Sequence, residues 1–190
     1  MTIEVLPATR FDDVATLLAP KNPDSPACWC LTYRLSSKQN RELGARQRPE
    51  FVRGLCEREL APGVLAYLDG EVAGWAGVAP RSELYAFSRS TKIPHFDDLP
   101  VWSVWCLKVR PGFRKRGVTA ALLQGAVDFA QDHGAPAIEG YPVDNGDRRV
   151  NATMAYVGTR SMFERAGFTK VADTDSVSNG MPRVLMRLAL

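Results

Sequence analysis

The chain has 190 residues, 45% of them hydrophobic and 24% charged, and a formal net charge of +3. That length suits one well-buried domain, and so small and dispersed a positive balance excludes a nucleic-acid binder that uses its whole surface. No apolar run reaches the roughly 18–20 residues of a membrane helix, and Met1-Thr2-Ile3-Glu4 lacks a signal-peptide pattern, so a cytoplasmic protein with no membrane or nucleic-acid partner is expected.

Ile3 to Leu6 alternates as a short strand, and Phe11, Val14, Ala15 and Leu18 recur at helical spacing until Pro20. An irregular stretch, Lys21 to Arg34, carries the Cys28-Trp29-Cys30 triplet. Ser36-Ser37-Lys38-Gln39 then reads as a helix start. A further helix begins near Pro49, with Phe51, Val52, Leu55, Cys56 and Leu60 on one face and Pro62-Gly63 at its end. Val64–Leu68, Asp69-Gly70 and Glu71–Val78 form the clearest hairpin signal, because Asp-Gly supplies the positive φ angles of a tight primed turn. Pro80 to Pro100 is polar, with one helical turn near Glu83 to Phe87, and is long enough for an ordered substrate lid.

Val101 to Val109 reads as a buried strand. Arg116 to His133 reads as a helix whose stripe is Val118, Leu122, Ala126 and Phe129, ended by Gly134 and Pro136. Ala137–Tyr141 is the next strand and Thr159–Ala166 a short helix closed by Gly167. Phe168–Ala172 and Arg183–Leu188 are the last two strands. Strand–helix–strand units joined to an antiparallel hairpin predict a mixed α/β sheet.

Five basic residues, Lys108, Arg110, Arg114, Lys115 and Arg116, occupy the strand-to-helix junction with no acid among them, and Gly112 and Gly117 permit tight turns there. A helix start leaves N–H groups unpaired beneath the positive end of its dipole, so this junction is suited to a phosphate. It lacks the Gly-Lys-Ser/Thr of a Walker loop and the additional glycines of a dinucleotide fingerprint.

Val109-Arg110-Pro111-Gly112-Phe113-Arg114-Lys115-Arg116-Gly117-Val118-Thr119, followed by Ala120-Ala121-Leu122-Leu123, resembles the acyl-CoA motif of the GNAT acetyltransferases, with Thr119 departing from its last small position. Ser161-Met162-Phe163-Glu164-Arg165-Ala166-Gly167-Phe168 is similar to a second segment of that family. The resemblance covers about residues 3–19 and 49–190. It implies a single domain with insertions at about 20–48 and 80–100, built on a mostly antiparallel sheet whose central parallel pair splays around acyl-CoA. It further implies transfer of an acetyl group from acetyl-CoA, the co-substrate, to a primary amine in a ternary complex. Leu107, Lys108, Val109, Arg114, Lys115, Arg116, Gly117, Val118, Thr119 and Phe163 are the cofactor-binding candidates. An acyl-CoA sensor of the same fold is the alternative, and a homodimer is an open option.

Two positions depart from the family pattern: Ser103 stands where some members carry a glutamate base, and Phe163 where a tyrosine protonates the thiolate. Glu139, a carboxylate inside an apolar strand, is therefore the candidate base, and Tyr156 the candidate acid. Glu83 and His95 are further lid candidates, and Glu83, Asp97, Asp98 and Asp144 could line an acidic acceptor pocket. The four cysteines, Cys28, Cys30, Cys56 and Cys106, lack the Cys-x-x-Cys knuckle, so reduced thiols and no metal are expected.

Overall fold

The structure, a computed structural model, describes residues 1–26, 29–148, 150 and 155–190. Cys28 of the cysteine triplet lies outside the described residues.

Seven strands form one sheet in the order β1-β2-β3-β4-β5-β7-β6: β1 (Ile3–Pro7), β2 (Gly63–Leu68), β3 (Glu71–Pro80), β4 (Trp102–Val109), β5 (Ala137–Gly140), β6 (Thr169–Ser178) and β7 (Met181–Ala189). All neighbours are antiparallel except β4 and β5. The β2–β3 hairpin turns at Asp69 and Gly70, whose φ angles of 50° and 85° are those its sequence requires. A second turn of the same kind, Asn179 and Gly180 at φ 55° and 70°, joins β6 to β7. It extends both strands beyond the sequence reading, with β6 running to Ser178.

Helices cover both faces. On one, α5 (Val118–Asp132) buries Val118, Leu122, Leu123, Ala126, Phe129 and Ala130 against β2, β3 and β4. Each large apolar side chain so buried contributes roughly 1.5–3 kcal/mol. Gly74 makes the close approach possible: a Cβ there would sit 2.9 Å from Leu122 and 3.0 Å from Val118. The other face carries α1 (Phe11–Leu18), α3 (Arg48–Cys56), α4 (Tyr85–Ser88) and the segment 29–35. Between α1 and α3, α2 (Ser37–Glu42) opens on a capping box, Ser36 with Gln39, as its sequence predicts.

α3 ends at Cys56 instead of running to Pro62. Val52 and Cys56 pack on this second face, whereas Leu60 and Ala61 pack on the α5 face, so the chain has to leave the helix to cross between them.

β4 contains a bulge. Gly77 pairs with Cys106 and Val78 with Val104, so Trp105 is an extra residue. Val104 and Leu107 therefore face α5, while Trp105 and Cys106 both face the other side. Gly77 is required beneath the indole, since a Cβ there would lie 2.6 Å from the Trp105 ring.

Candidate functional site

β4 and β5 pair only from Trp102 to Val104 and from Ile138 to Gly140. β4 then continues to Val109 while the other chain turns aside, with Val143 bridging Thr159 and Arg183. The two strands thus part beyond the bulge. Phe163, from α6 (Arg160–Arg165), fills the floor of this parting: it is fully buried, meets Phe168 edge to face at 5.0 Å, and leaves no room for a Cβ at Gly140 or Gly158. Phe163 is thus enclosed in the core.

At the far end of β4 the backbone N–H of Arg110 donates to Ala73 O and its guanidinium to Val72 O, fixing where the strand stops. A 3-10 turn (Pro111–Phe113) follows. Lys115 at φ 60° and Gly117 at φ 81° then reverse the chain into α5. Gly117 caps that helix with no side-chain hydrogen bond to its first N–H groups, and Arg114 to Gly117 are exposed.

A cleft of about 640 Å³ opens against this turn. Val109, Arg114, Lys115, Gly117, Val118 and Thr119 line it, as does Phe113. Leu107 is buried in the core beside it, Lys108 is exposed and does not line it, and Arg116 leans 3.9 Å from Asp69 at the hairpin turn. The opposite wall is α6, through Met162 and Arg165, with its C-cap Ala166. Arg165 is missing from the sequence-based set, although Met162, Arg165 and Ala166 follow helical i, i+3, i+4 spacing. Uncapped helix N–H groups, a left-handed glycine and three cationic side chains on two walls fit a pyrophosphate with an apolar tail.

Glu139 lies at the root of the parting, fully buried. Its Oε2 accepts from Arg81 Nη1 (3.1 Å) and Tyr141 OH (2.9 Å). Its Oε1 accepts from Arg187 Nε (3.0 Å) and Nη2 (2.6 Å). Ser103, on the neighbouring strand, bonds the Tyr141 hydroxyl at 2.8 Å. Burial first, then the Glu139 charge, pushes the Tyr141 phenol far above its ordinary value. Both carboxylate oxygens are thus engaged twice, and the arrangement is that of an anchored ion-pair centre, not of a base facing an acceptor. Arg81 also donates to Phe87 O and Ile93 O, and Arg187 holds Asp97 through two nitrogens, so the same centre ties down the 80–100 segment.

Tyr156 is 37% exposed. Burial of part of its ring, then the neighbouring Tyr33 hydroxyl, pushes its phenol well above the ordinary value, so it remains protonated through neutral pH. Arg183 Nη1 donates to that Tyr33 hydroxyl at 3.1 Å. The other acidic candidates do not converge on one pocket: Glu83 pairs with Arg34 and Arg58, Asp97 with Arg187, and Asp144 with Arg160, while His95 and Asp98 are exposed. Among the described residues no three metal-ligating side chains cluster.

The profile of the acetyltransferase (GNAT) family matches residues 29–168. Among solved structures, a GCN5-related N-acetyltransferase from Kribbella flavida is similar at 20% identity and a TM-score of 0.57, covering 99% of this chain and 98% of that one. The PaiA N-acetyltransferase from Thermoplasma acidophilum, in complex with coenzyme A, is similar at 13% identity and a TM-score of 0.51 over the full length of both chains. A chain of the NatC complex bound to Gag peptide and CoA is similar at 15% identity and a TM-score of 0.55, covering 100% of this chain and 99% of that one. At these identities the likeness is one of fold. No curated protein matches by sequence.

Proposed function

The chain belongs to the acetyltransferase (GNAT) family, and from that premise we propose that it transfers an acetyl group from acetyl-CoA to a primary amine within a ternary complex. The observation that carries this reading is the cradle at the start of α5. Its uncapped N–H groups and left-handed Gly117, with Arg114, Lys115 and Arg165 around them, suit the pyrophosphate of a coenzyme A thioester. Its apolar walls, Val109, Phe113, Val118 and Met162, suit the rest of the carrier. The PaiA and NatC structures, both solved with coenzyme A, support the same co-substrate.

In this account the amine attacks directly, and the chain contributes position and polarisation more than proton chemistry. Glu139 serves as a structural anchor, because two guanidiniums and a phenol already occupy it. The amine therefore arrives neutral and loses its proton to water. Tyr156 acts as a hydrogen-bond donor to the departing thiolate. Its raised pKa makes complete transfer to a sulfur of pKa near 8.5 uphill, so stabilisation by donation is its contribution.

A sensor that binds acyl-CoA without turnover is the second reading, favoured by the pairing of Glu83, Glu139 and Asp144 with arginines. Incubating the chain with acetyl-CoA and a panel of polyamines, amino acids and peptides, with mass spectrometry of the products, separates the two. Acetylated amine above the uncatalysed background supports the enzyme. Tight coenzyme A binding with no product from any amine supports the sensor.

A further inference from the structure

The bulge in β4 turns two consecutive side chains toward the 29–35 segment, and both engage the same residue there. Trp105 donates its indole N–H to Cys30 O at 3.3 Å, and Cys106 brings its sulfur to 2.8 Å from the Cys30 sulfur. Regular alternation would have sent one of the two to the α5 face. Cys30 also adopts φ 60°, a backbone conformation costly for a residue with a side chain and retained where surrounding contacts impose it. Its carbonyl and its sulfur are thus held at adjacent positions on one strand. The sulfurs lie within an ångström of the roughly 2.05 Å of a disulfide bond.

From this geometry we infer that Cys30 and Cys106 form a reversible oxidation site, taking a two-electron oxidant of the peroxide class. Cys30 is partly exposed and Cys106 is buried, which sets the order of events. The Cys30 sulfur attacks the peroxide, breaking its O–O bond; the sulfur is oxidised to a sulfenic acid and one peroxide oxygen leaves as water or alcohol. The Cys106 sulfur then attacks the sulfenic sulfur, the S–O bond breaks, and the hydroxyl departs with the Cys106 proton as water. The product cross-links β4, at the point where it parts from β5, to the segment that carries Tyr33 and Arg34. The inference stands on the two thiols alone and does not depend on acetyl transfer.

Cys56 is an internal control: it is buried, and burial pushes its thiol up to about 11. The test treats the reduced full-length chain with hydrogen peroxide, blocks remaining thiols in denaturant and maps the peptides without reductant. The map is run on the wild type and on Cys28→Ser, in which Cys30 is the one cysteine of its peptide. The expected result is a Cys30–Cys106 cross-link with loss of two hydrogens, Cys56 left alkylated, and full reversal by dithiothreitol. The melting temperature should rise by roughly 5–10 °C, as expected for closing a long loop in a chain of this size. Cys106→Ser should abolish both effects. Both thiols remaining alkylated, each reaching the sulfinic state without a cross-link, or either pairing with a different cysteine would overturn the inference. The wild-type map decides alone if the serine variant does not fold.

Discussion

Arg81 and Glu139 meet at 3.1 Å inside the protein, the guanidinium 3% exposed and the carboxylate fully buried. The pair joins a strand of the sheet to the segment that leaves β3, and its position beside the parting of β4 and β5 makes it part of the frame on which the site is built.

Glu139→Gln is therefore expected to act on stability. It leaves Arg81 and Arg187 without a shared counter-charge, and removing one partner of a buried pair costs about 3–5 kcal/mol. Chemical denaturation should show that loss, with the shape of the pH–rate profile unchanged. A variant of wild-type stability whose turnover falls on the acidic limb would return Glu139 to the role of base.

Asp97 gives the centre a pH dependence. Its hydrogen bonds from Arg187 hold its carboxyl below the usual range. A depressed folded-state pKa contributes stability that is complete above the unfolded value near 3.9 and is lost as pH falls through the lower folded value. The melting-temperature difference between wild type and Asp97→Asn should accordingly be constant at neutral pH and shrink below about pH 4. A difference that instead grows with acidity would contradict this.

Gly140→Ala tests the floor of the parting. The added Cβ would lie 2.0 Å from the Phe163 ring, which has no space to retreat. Overpacking of this kind costs roughly 1–3 kcal/mol. Gly140→Ala combined with Phe163→Leu should recover part of the loss in a double-mutant cycle, and strict additivity would show that the two do not share the space.

Much of the frame is legible in the sequence because its signals are local. Asp69-Gly70 fixes one hairpin, Ser36 and Gln39 one helix start, and the basic run with Gly117 the turn into α5. Asn179-Gly180 is an equally good turn signal, and weighing it would have extended β6 and β7. What is not legible depends on partners distant in the chain. Glu139 meets Arg81 and Arg187 across 58 and 48 positions, so one residue in an apolar strand reads equally well as a base or as an anchor. The bulge at Trp105 exists only through the register with β3, and it decides which side chains reach Cys30.

Tyr156→Phe removes a donor without changing the ring. Its loss should lower kcat by roughly 10- to 100-fold, the value of one hydrogen bond to a charged group, and leave coenzyme A affinity unchanged. Because the phenol is held above its ordinary pKa, no alkaline limb near pH 8 to 9 should disappear with it. Steady-state kinetics across pH would expose unchanged turnover, which would leave thiolate departure to solvent.

We propose that the Arg114 to Thr119 turn holds a coenzyme A thioester. Calorimetric titration of the chain and of Gly117→Glu with acetyl-CoA, beside ATP and NAD, tests it most directly. Gly117 stands in the left-handed region and a Cβ there would meet Ile3 at 3.7 Å, so the glutamate adds strain and a negative charge where the phosphates would lie. Saturable binding by the wild type alone is expected, with ATP and NAD far weaker. At 100 times the dissociation constant acetyl-CoA should add about 2.7 kcal/mol to stability and so raise the melting temperature. Absence of acetyl-CoA binding to the wild type at millimolar ligand, or equal binding by Gly117→Glu, would contradict the proposal.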